Sequence, residues 1–347
     1  MNLKLYHILG AAACGLLTAA AFTSLEAMFV AWISLIPLFF LLSGKKPGQA
    51  SLLAGTAGLF FHGLLLHWLP SCLAPVAVSA AAWAVFGFVF SLIETRRPFP
   101  AFIAAPFLWA GLEFALTLVM SGRAWGALGL SQSRNLLFIQ MAGITGVFGV
   151  SFILVLFQAL FVGAIRTSIR MPFVVGMVLL VLVHLGGFLV LQKPTPTVDS
   201  FEAAAFQGEG IPASDAATGL RRFRGLVFGS PAGPDIAGPD LVRRLVGRGA
   251  SFLTTHGEPE AKQTRAAASG HLTQAVFRAV ENRRSVLRLD VGKGFGEIID
   301  AFGRSAASVI PGDDLTFYTR HGDVFALFCL TISAGFLILS FLFMRRP

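Results

Sequence analysis

Long apolar runs separated by short charged loops make up most of this chain. The runs of spanning or near-spanning length are 5–22, 27–42, 50–69, 76–93, 101–120, 139–165, 172–191 and 324–343. Because a helix of about 17–25 residues crosses a bilayer, the second run is short for a span and the sixth is long. The pattern predicts about eight transmembrane α-helices, with a polar segment between the seventh and the eighth.

The polar segment mixes strand-like and helix-like patterns. Apolar residues alternate from 201 onward, and strand patterns recur at 221–234, 250–255, 285–291 and 295–303. Helical spacing covers 239–249 and 271–284. Strands that alternate with helices predict an α/β layer. We therefore expect a seven-helix transmembrane domain at 1–192, an inserted α/β domain at 193–323 and a C-terminal transmembrane helix at 324–347.

Composition and charge agree with a membrane protein. The chain is 55% hydrophobic and 13% charged, which indicates that lipid is its main solvent. Of the net charge of +9, the polar segment at 193–323 accounts for +1, from 16 Lys and Arg against 15 Asp and Glu. The remaining +8 lies in short loops between the apolar runs. These charges set the orientation of the helices in the membrane and do not indicate a nucleic-acid site.

The basic loops predict the orientation of the chain. With eight spans, they all fall on one side of the membrane, which the positive-inside rule makes the cytoplasm. Both termini are then cytoplasmic, and 193–323 faces outward, which in a bacterium is the periplasmic side of the inner membrane. The basic residues are Lys4, Lys45, Lys46, Arg96, Arg97, Arg166, Arg170, Arg345 and Arg346.

Polar residues within the apolar runs are candidates for function. Glu113 lies near the middle of the fifth run, and a carboxylate in lipid marks a structural partner or a functional site. A helix–helix hydrogen bond and a role near a substrate cleft both stay open. His62 and His67 are five residues apart, so they do not share a helix face as a metal pair does. Packing or interfacial roles are favoured for both.

The loop 121–135 is long and rich in glycine, and it carries Arg123, Trp125 and Gln132. It is either a membrane-surface hairpin anchored by tryptophan or a loop that flanks a lateral opening for lipid. Trp68 and Trp109 also lie at or near span ends, where aromatic belts are expected. These residues and Glu113 are the candidates for a lipid or substrate cleft.

Cysteine usage excludes two kinds of site. The three cysteines, Cys14, Cys72 and Cys329, all fall in or beside apolar runs. Neither a disulfide framework nor a CxxC metal site is predicted. We expect no metal and no cofactor.

Several segments, in this order and spacing, resemble the apolipoprotein N-acyltransferases, the integral-membrane branch of the nitrilase (carbon–nitrogen hydrolase) superfamily. In the apolar part they are PFLWAGLEF at 106–114, GRAWGALGLSQS at 122–133 and GITGVFGVSFI at 143–153. In the polar part they include AAAFQGEGIP with Gln207, HLTQAVFRAVENRR with Arg278 and Glu281, and DLTFYTRHGD at 314–323. The resemblance implies a shortened nitrilase-like domain held on a membrane anchor.

The resemblance also implies a specific chemistry. In the family a cysteine thiolate takes an acyl chain from a phospholipid and passes it to the amino terminus of a diacylglyceryl-modified lipoprotein. A glutamate acts as base, and a lysine stabilises the tetrahedral intermediate. The implied partners are therefore phospholipid, the lipoprotein amino terminus and the bilayer itself.

The chain departs from that pattern at the catalytic residues. The family cysteine position falls at Gly233 or a few residues earlier, and no cysteine lies between Cys72 and Cys329. The stretch that carries the base and the lysine in the family is reduced to a short connection. No catalytic residue is therefore identified. Weak substitutes are Ser230 as a hydroxyl nucleophile, with His256 or His271 as its base.

A rebuilt acid/base set is the other substitute that the sequence offers. Glu258, Glu260 and Lys262 lie together, but a charged surface loop explains them better.

Three hypotheses follow for the whole protein. It is a degenerate family member (a pseudoenzyme) that binds lipid, lipoprotein or a protein partner, an active N-acyltransferase with relocated catalytic residues, or a non-enzymatic scaffold subunit of a membrane complex. The first is favoured.

Overall fold

The computed structural model describes residues 3–23, 26–67, 72–193, 220–231, 233–256, 265–289 and 296–342. Its α-helices, numbered in chain order, are α1 Leu5–Ala20, α2 Ile36–Leu42, α3 Pro47–Leu66, α4 Leu73–Glu94, α5 Pro98–Val119, α6 Leu136–Ile139, α7 Ala142–Thr167, α8 Met171–Leu191, α9 Pro239–Gly247, α10 Arg265–Asn282, α11 Phe317–His321 and α12 Val324–Leu342. Its strands are β1 Leu220–Phe223, β2 Leu226–Gly229, β3 Phe252–His256, β4 Val286–Leu289, β5 Gly296–Ile299 and β6 Ser305–Ala306. The 3₁₀ helices are Glu26–Trp32, Leu128–Gln132 and Gly233–Ala237.

Five helices in the described part of the chain are long and apolar enough to cross a membrane: α3, α4, α5, α7 and α8. The apolar stretches at the start of the chain, at Ala27–Leu42 and at its C-terminal end form shorter helices. The helical nature of the apolar runs is therefore confirmed, whereas eight complete spans remain a prediction.

The second apolar run differs from its predicted form. It is a 3₁₀ helix at Glu26–Trp32 followed by the separate short helix α2. Pro37 lies in the first turn of α2. Backbone amides in a first turn have no acceptor within the helix, so proline, which lacks the amide hydrogen, is tolerated there. A proline at this place favours the start of a new helix over the continuation of the preceding one.

The polar segment contains a mixed sheet, as predicted. Within the described residues the strand order is β1-β2-β3-β4-β5-β6. Strands β2, β3 and β4 are parallel, and the outer pairs are antiparallel. The prediction of one strand at 221–234 was incomplete, because Arg224 and Gly225 both take positive φ and turn the chain into the hairpin β1–β2.

Alternation along the central strands separates two apolar surfaces. Val286 pairs with Ile299, and both belong to the main core that continues into the membrane helices. The next residues, Leu287 and Ile298, also pair, and both belong to a second cluster on the opposite face. Because side chains of a strand point alternately to the two faces, this register buries one face against the helices and the other in its own cluster.

Helix α7 is interrupted at Gly146, whose φ of 66° and ψ of −175° are not helical. Glycine takes such angles without a steric penalty from a side chain. At the break the amide of Val147 donates to Oε1 of Glu281 in α10, at 2.9 Å. A carboxylate from the sheet region therefore caps the main part of α7, which from 147 to 167 is roughly 30 Å long, the thickness of the hydrocarbon core.

Two further contacts hold the sheet region against this break. Arg278 Nη2 lies 2.9 Å from Glu281 Oε2, and both side chains are fully buried. Tyr318 of α11 packs directly beneath Gly146, and its hydroxyl donates to Asp323 Oδ1 at 3.0 Å. The Gly146 break is thus the point where the membrane helices and the sheet region join.

We expect Gly146→Ala to destabilise the protein by about 1–3 kcal/mol, because a side chain at positive φ is strained. The added Cβ would also lie 2.7 Å from Tyr318 Cε2. The matched control is Gly143→Ala, whose Cβ would come no closer than 3.6 Å to Val280 O. Thermal unfolding of both variants in one detergent measures the difference. Equal midpoints for the two variants would contradict this account of the break.

Candidate functional site

A small pocket lies where α3, α4 and α5 meet the loop 121–127. It is small, with about 20 Å³ open to the centre of a water molecule, which is enough for at least one water molecule. Three of the predicted cleft residues line it: Glu113, Arg123 and Trp125. The full lining is His62, Trp83, Glu113, Leu116, Thr117, Arg123, Ala124, Trp125, Gly126 and Ala127.

Glu113 joins the helix to the loop. Its Oε1 accepts hydrogen bonds from Trp109 Nε1 at 2.7 Å and from the amide of Leu128 at 2.8 Å. The carboxylate also makes a side-chain hydrogen bond with Ser151 of α7. Glu113 therefore has partners in its own helix, in the loop and in a neighbouring helix, so the helix–helix hydrogen bond that the sequence left open is present.

His62 forms the opposite wall. The ring is 1% exposed, and its Nδ1 lies 3.1 Å from the carbonyl oxygen of Gly58, to which it must donate. In the neutral ring Nε2 is then an acceptor. Gly126 takes a φ of +81°, and a Cβ there would lie 2.9 Å from His62 Nε2, so the glycine lets the loop approach the ring. The expected packing role of His62 holds, but sequence reasoning missed its place in the pocket.

The other side of the same loop docks onto the sheet region. Arg123 Nη2 lies 3.1 Å from Asp235 Oδ1, and the amide of Ala124 donates to the carbonyl oxygen of Ala237 at 3.0 Å. The rings of Trp125 and His271 meet edge to face, with their centres 5.9 Å apart. The loop is thus at once a wall of the pocket and the support of the segment that contains Gly233.

Gln132 lies away from the pocket and is fully buried. Its Nε2 donates to the carbonyl oxygen of Met28, and its Oε1 accepts from Trp32 Nε1 at 3.0 Å. All of Leu128–Gln132 is buried as a 3₁₀ helix. Of the two alternatives for this loop, the membrane-surface hairpin does not fit Leu128–Gln132, because Gln132 has its polar partners inside the protein. It is a structural residue of the helix bundle.

The predicted position of the family cysteine is a turn without a thiol. Gly233 starts the 3₁₀ helix that follows β2, at the carboxyl edge of the parallel strands. Parallel α/β sheets bind ligands at this edge. Ser230 precedes the turn, and no hydrogen bond between described residues joins it to a histidine. Cys14 and Cys329 are buried within helices α1 and α12, and Cys72 adjoins α4.

Arg278 and Glu281 stabilise the junction at the Gly146 break. Burial raises the pKa of Glu281 to about 7, and Arg278 opposes that shift. Burial also raises the pKa of Asp323 and of Tyr318 beside it. Sequence reasoning singled out Arg278 and Glu281 but missed their partners Val147 and Tyr318. The motifs GITGVFG and DLTFYTRHGD carried the signal, yet only the fold brings them together.

Some predicted residues lie outside the described part of the chain. They are Trp68, Gln207, Glu258, Glu260, Lys262 and the side chain of His256. Among the described residues, no group of three or more His, Cys, Asp or Glu side chains is arranged to hold a metal ion.

Comparison with known proteins identifies relatives. A family model described as the apolipoprotein N-acyltransferase N-terminal domain matches residues 14–160. An apolipoprotein N-acyltransferase of Geobacter metallireducens is 30% identical over 219 residues, which are 56% of this chain and 42% of that protein. One from Chlorobaculum tepidum is 32% identical over 191 residues, 52% of this chain and 36% of that protein.

A third relative, apolipoprotein N-acyltransferase 1 of Treponema denticola, is 30% identical over 142 residues. That alignment covers 38% of this chain and 25% of the relative. The chain therefore matches less than half the length of each of the three relatives. Together with five helices suited to crossing a membrane in the described residues, they fit a bacterial membrane protein.

We expect the buried carboxyl of Glu281 to make stability depend on pH. Its pKa in the folded protein is about 7, above the ordinary value of 4.5. The stabilisation that this group contributes to the folded protein is therefore complete below pH 4.5 and is lost as the pH rises through 7. Thermal unfolding from pH 4 to 9 should show this loss in the wild type but not in Glu281→Gln, where the group no longer titrates. Asp323 and Tyr318 interact with the charge of Glu281, so the loss is measured as the difference between the two proteins near pH 7.

Glu297→Gln is the matched control for the pH series. Glu297 is an acidic residue of the sheet region whose side chain is 38% exposed, so removal of its charge should leave the profile parallel to that of the wild type. If the unfolding midpoint of Glu281→Gln changed with pH in parallel with that of the wild type, the pH dependence would not belong to Glu281.

Proposed function

We propose that this chain belongs to the apolipoprotein N-acyltransferase family and that it binds phospholipid or a lipid-modified lipoprotein amino terminus without cysteine-dependent acyl transfer. The proposal makes it a degenerate member of the family. It keeps the membrane helices and a sheet region, and it lacks the nucleophile.

The observation that carries the proposal is the turn at Gly233. A thiolate is the nucleophile of this chemistry, and the whole sequence between Cys72 and Cys329 contains no cysteine. Cys329 is buried in α12 and Cys14 in α1, so neither can reach the carboxyl edge of the sheet. A serine nucleophile needs an adjacent base, and Ser230 has no histidine hydrogen-bonded to it among the described residues.

Lipid binding is supported by what the helices expose. In α8 Gly187 is the one buried residue, and much of the remaining apolar surface of the helix is exposed. The pocket with Glu113, Arg123 and Trp125 lies beside the C-terminal half of α5, under the loop 121–127. This places polar groups next to apolar helix surface, as an amphiphile requires.

The proposed topology places the sheet region outside the cytoplasm. The basic loops at Lys45, Arg96 and Arg166 alternate with loops of little charge, which supports cytoplasmic termini and a periplasmic sheet region. A lipoprotein amino terminus at the outer face of the inner membrane would then lie on the side of the pocket.

The test is an acyl-transfer assay on the purified protein in detergent. With phospholipid and a diacylglyceryl lipopeptide, we expect the peptide mass to stay unchanged while lipid or lipopeptide is retained on the protein. A peptide that gains one acyl chain would overturn the proposal and favour an active enzyme with relocated residues. In that event Ser230→Ala and the triple change of Cys14, Cys72 and Cys329 to Ser separate the two kinds of nucleophile.

Retention of ligand is measured in the same experiment. If neither lipid nor lipopeptide is retained, binding itself is excluded. A stoichiometric protein that co-purifies in place of lipid would instead favour a scaffold subunit.

A further inference from the structure

Ionisable side chains from three helices meet at the Gly146 break. The side chains of Arg278 and Glu281 are fully buried and lie 2.9 Å apart. Asp323, directly before α12, is partly buried and accepts a hydrogen bond from the hydroxyl of Tyr318 at 3.0 Å. Among the described residues, the titratable or charged groups that act on the two carboxyls are Arg278 of α10, Asp240 and Arg243 of α9, and Tyr318 of α11, whereas α7 has no such side chain between 142 and 165.

The charges at the break do not balance when both carboxyls are ionised. Arg278 is the fully buried cation of the group, and Arg243, the other guanidinium that acts on Asp323, is paired with Asp240. Glu281 and Asp323 would then place two negative charges beside one positive charge. An unbalanced charge in a buried site is unfavourable, so the two carboxyls favour the retention of one proton.

The pKa shifts agree with this charge count. Burial raises the pKa of Glu281 to about 7, while Arg278 opposes the shift and the charge of Asp323 adds to it. Burial raises the pKa of Asp323 as well. A carboxyl whose pKa is raised in the folded protein stabilises that state while it is protonated, and the stabilisation is lost as the pH rises through about 7.

We propose that this junction is a proton-dependent latch: one proton held by Glu281 and Asp323 together keeps α10 closed against the Gly146 break, and its loss lets α10 separate from α7 there. The hydrogen bond from the amide of Val147 to Glu281 breaks in that opening. The latch is independent of the proposed lipid binding.

Helix α10 can pass this change on to the loop 121–127. Gln274 lies two turns before Glu281, on the same face of α10, and its Nε2 donates to the carbonyl oxygen of Ala124 at 3.3 Å. The same loop supports the turn at Gly233. A separation of α10 from α7 would therefore loosen the support of that turn as well.

Hydrogen exchange of the purified protein in detergent, followed by mass spectrometry from pH 6 to 9, tests the latch. The rate of each peptide is divided into the rate of the unstructured chain at the same pH, so that the protection factor is free of the intrinsic pH dependence of exchange. If opening requires the loss of one proton, the protection of 147–153 should fall about tenfold per pH unit above pH 7. Peptides of α3 and α4 should keep their protection, whereas an equal fall there would mean global unfolding and no latch.

Two variants locate the proton. In Glu281→Gln and in Asp323→Asn one carboxylate remains and Arg278 balances it, so the protection of 147–153 should not change with pH in either variant. Each new side chain keeps an oxygen that can accept the hydrogen bond of the original carboxylate, from Val147 or from Tyr318.

Glu297→Gln is the matched control, because this carboxylate of β5 is 38% exposed and its loss should leave the fall in protection as in the wild type. Constant protection of 147–153 in the wild type across the pH series would refute the latch. A fall that persists in Asp323→Asn would assign the proton to Glu281 alone and refute the sharing. If Glu281→Gln does not fold, Asp323→Asn decides between these two outcomes by itself.

Discussion

The hydrogen bond from the amide of Val147 to the carboxylate of Glu281 joins the two parts of this protein. A helix broken by Gly146 exposes amides inside a buried junction, where an unpaired donor is costly. The carboxylate satisfies one of them at 2.9 Å, and Arg278 offsets its charge. A fully buried ion pair is weakly stabilising by itself, but removal of one partner leaves a buried charge uncompensated. This contact holds α10 against α7, together with the contacts that the loop 121–127 makes with the sheet region.

The loop 121–127 couples the junction to the pocket. Its inner surface meets His62 and the Glu113 carboxylate, and its outer surface bonds to Asp235 and Ala237. The turn at Gly233 is therefore positioned by the same loop that closes the pocket. The same loop thus supports the turn at Gly233, where the resemblance to the family places the cysteine. The proposal of binding without acyl transfer rests on the residue at that turn.

The sheet region shows which elements local sequence patterns predict and which they miss. The strands β4 and β5 and the helix α10 were predicted because alternation and helical spacing are local properties of the chain. The hairpin β1–β2 was missed, since positive φ at Arg224 is a backbone feature that no side-chain pattern shows. The second apolar run was predicted as one helix, although Pro37 carried a signal for a new start. Its division became evident only from the buried partners of Trp32 and Gln132.

The sequence alone indicated the membrane class and the family, and it showed that no cysteine lies between Cys72 and Cys329, because hydropathy, motif order and residue identity are properties of the chain itself. It also pointed to Glu113, since a carboxylate within an apolar run is conspicuous wherever the helix packs. Only the tertiary structure decided which atoms meet. The contact of Glu281 with Val147 spans 134 positions of the chain, and the pocket assembles His62 with Glu113 through Gly126. Such pairings depend on how helices pack, and packing is a cooperative property of the whole fold that no local pattern contains.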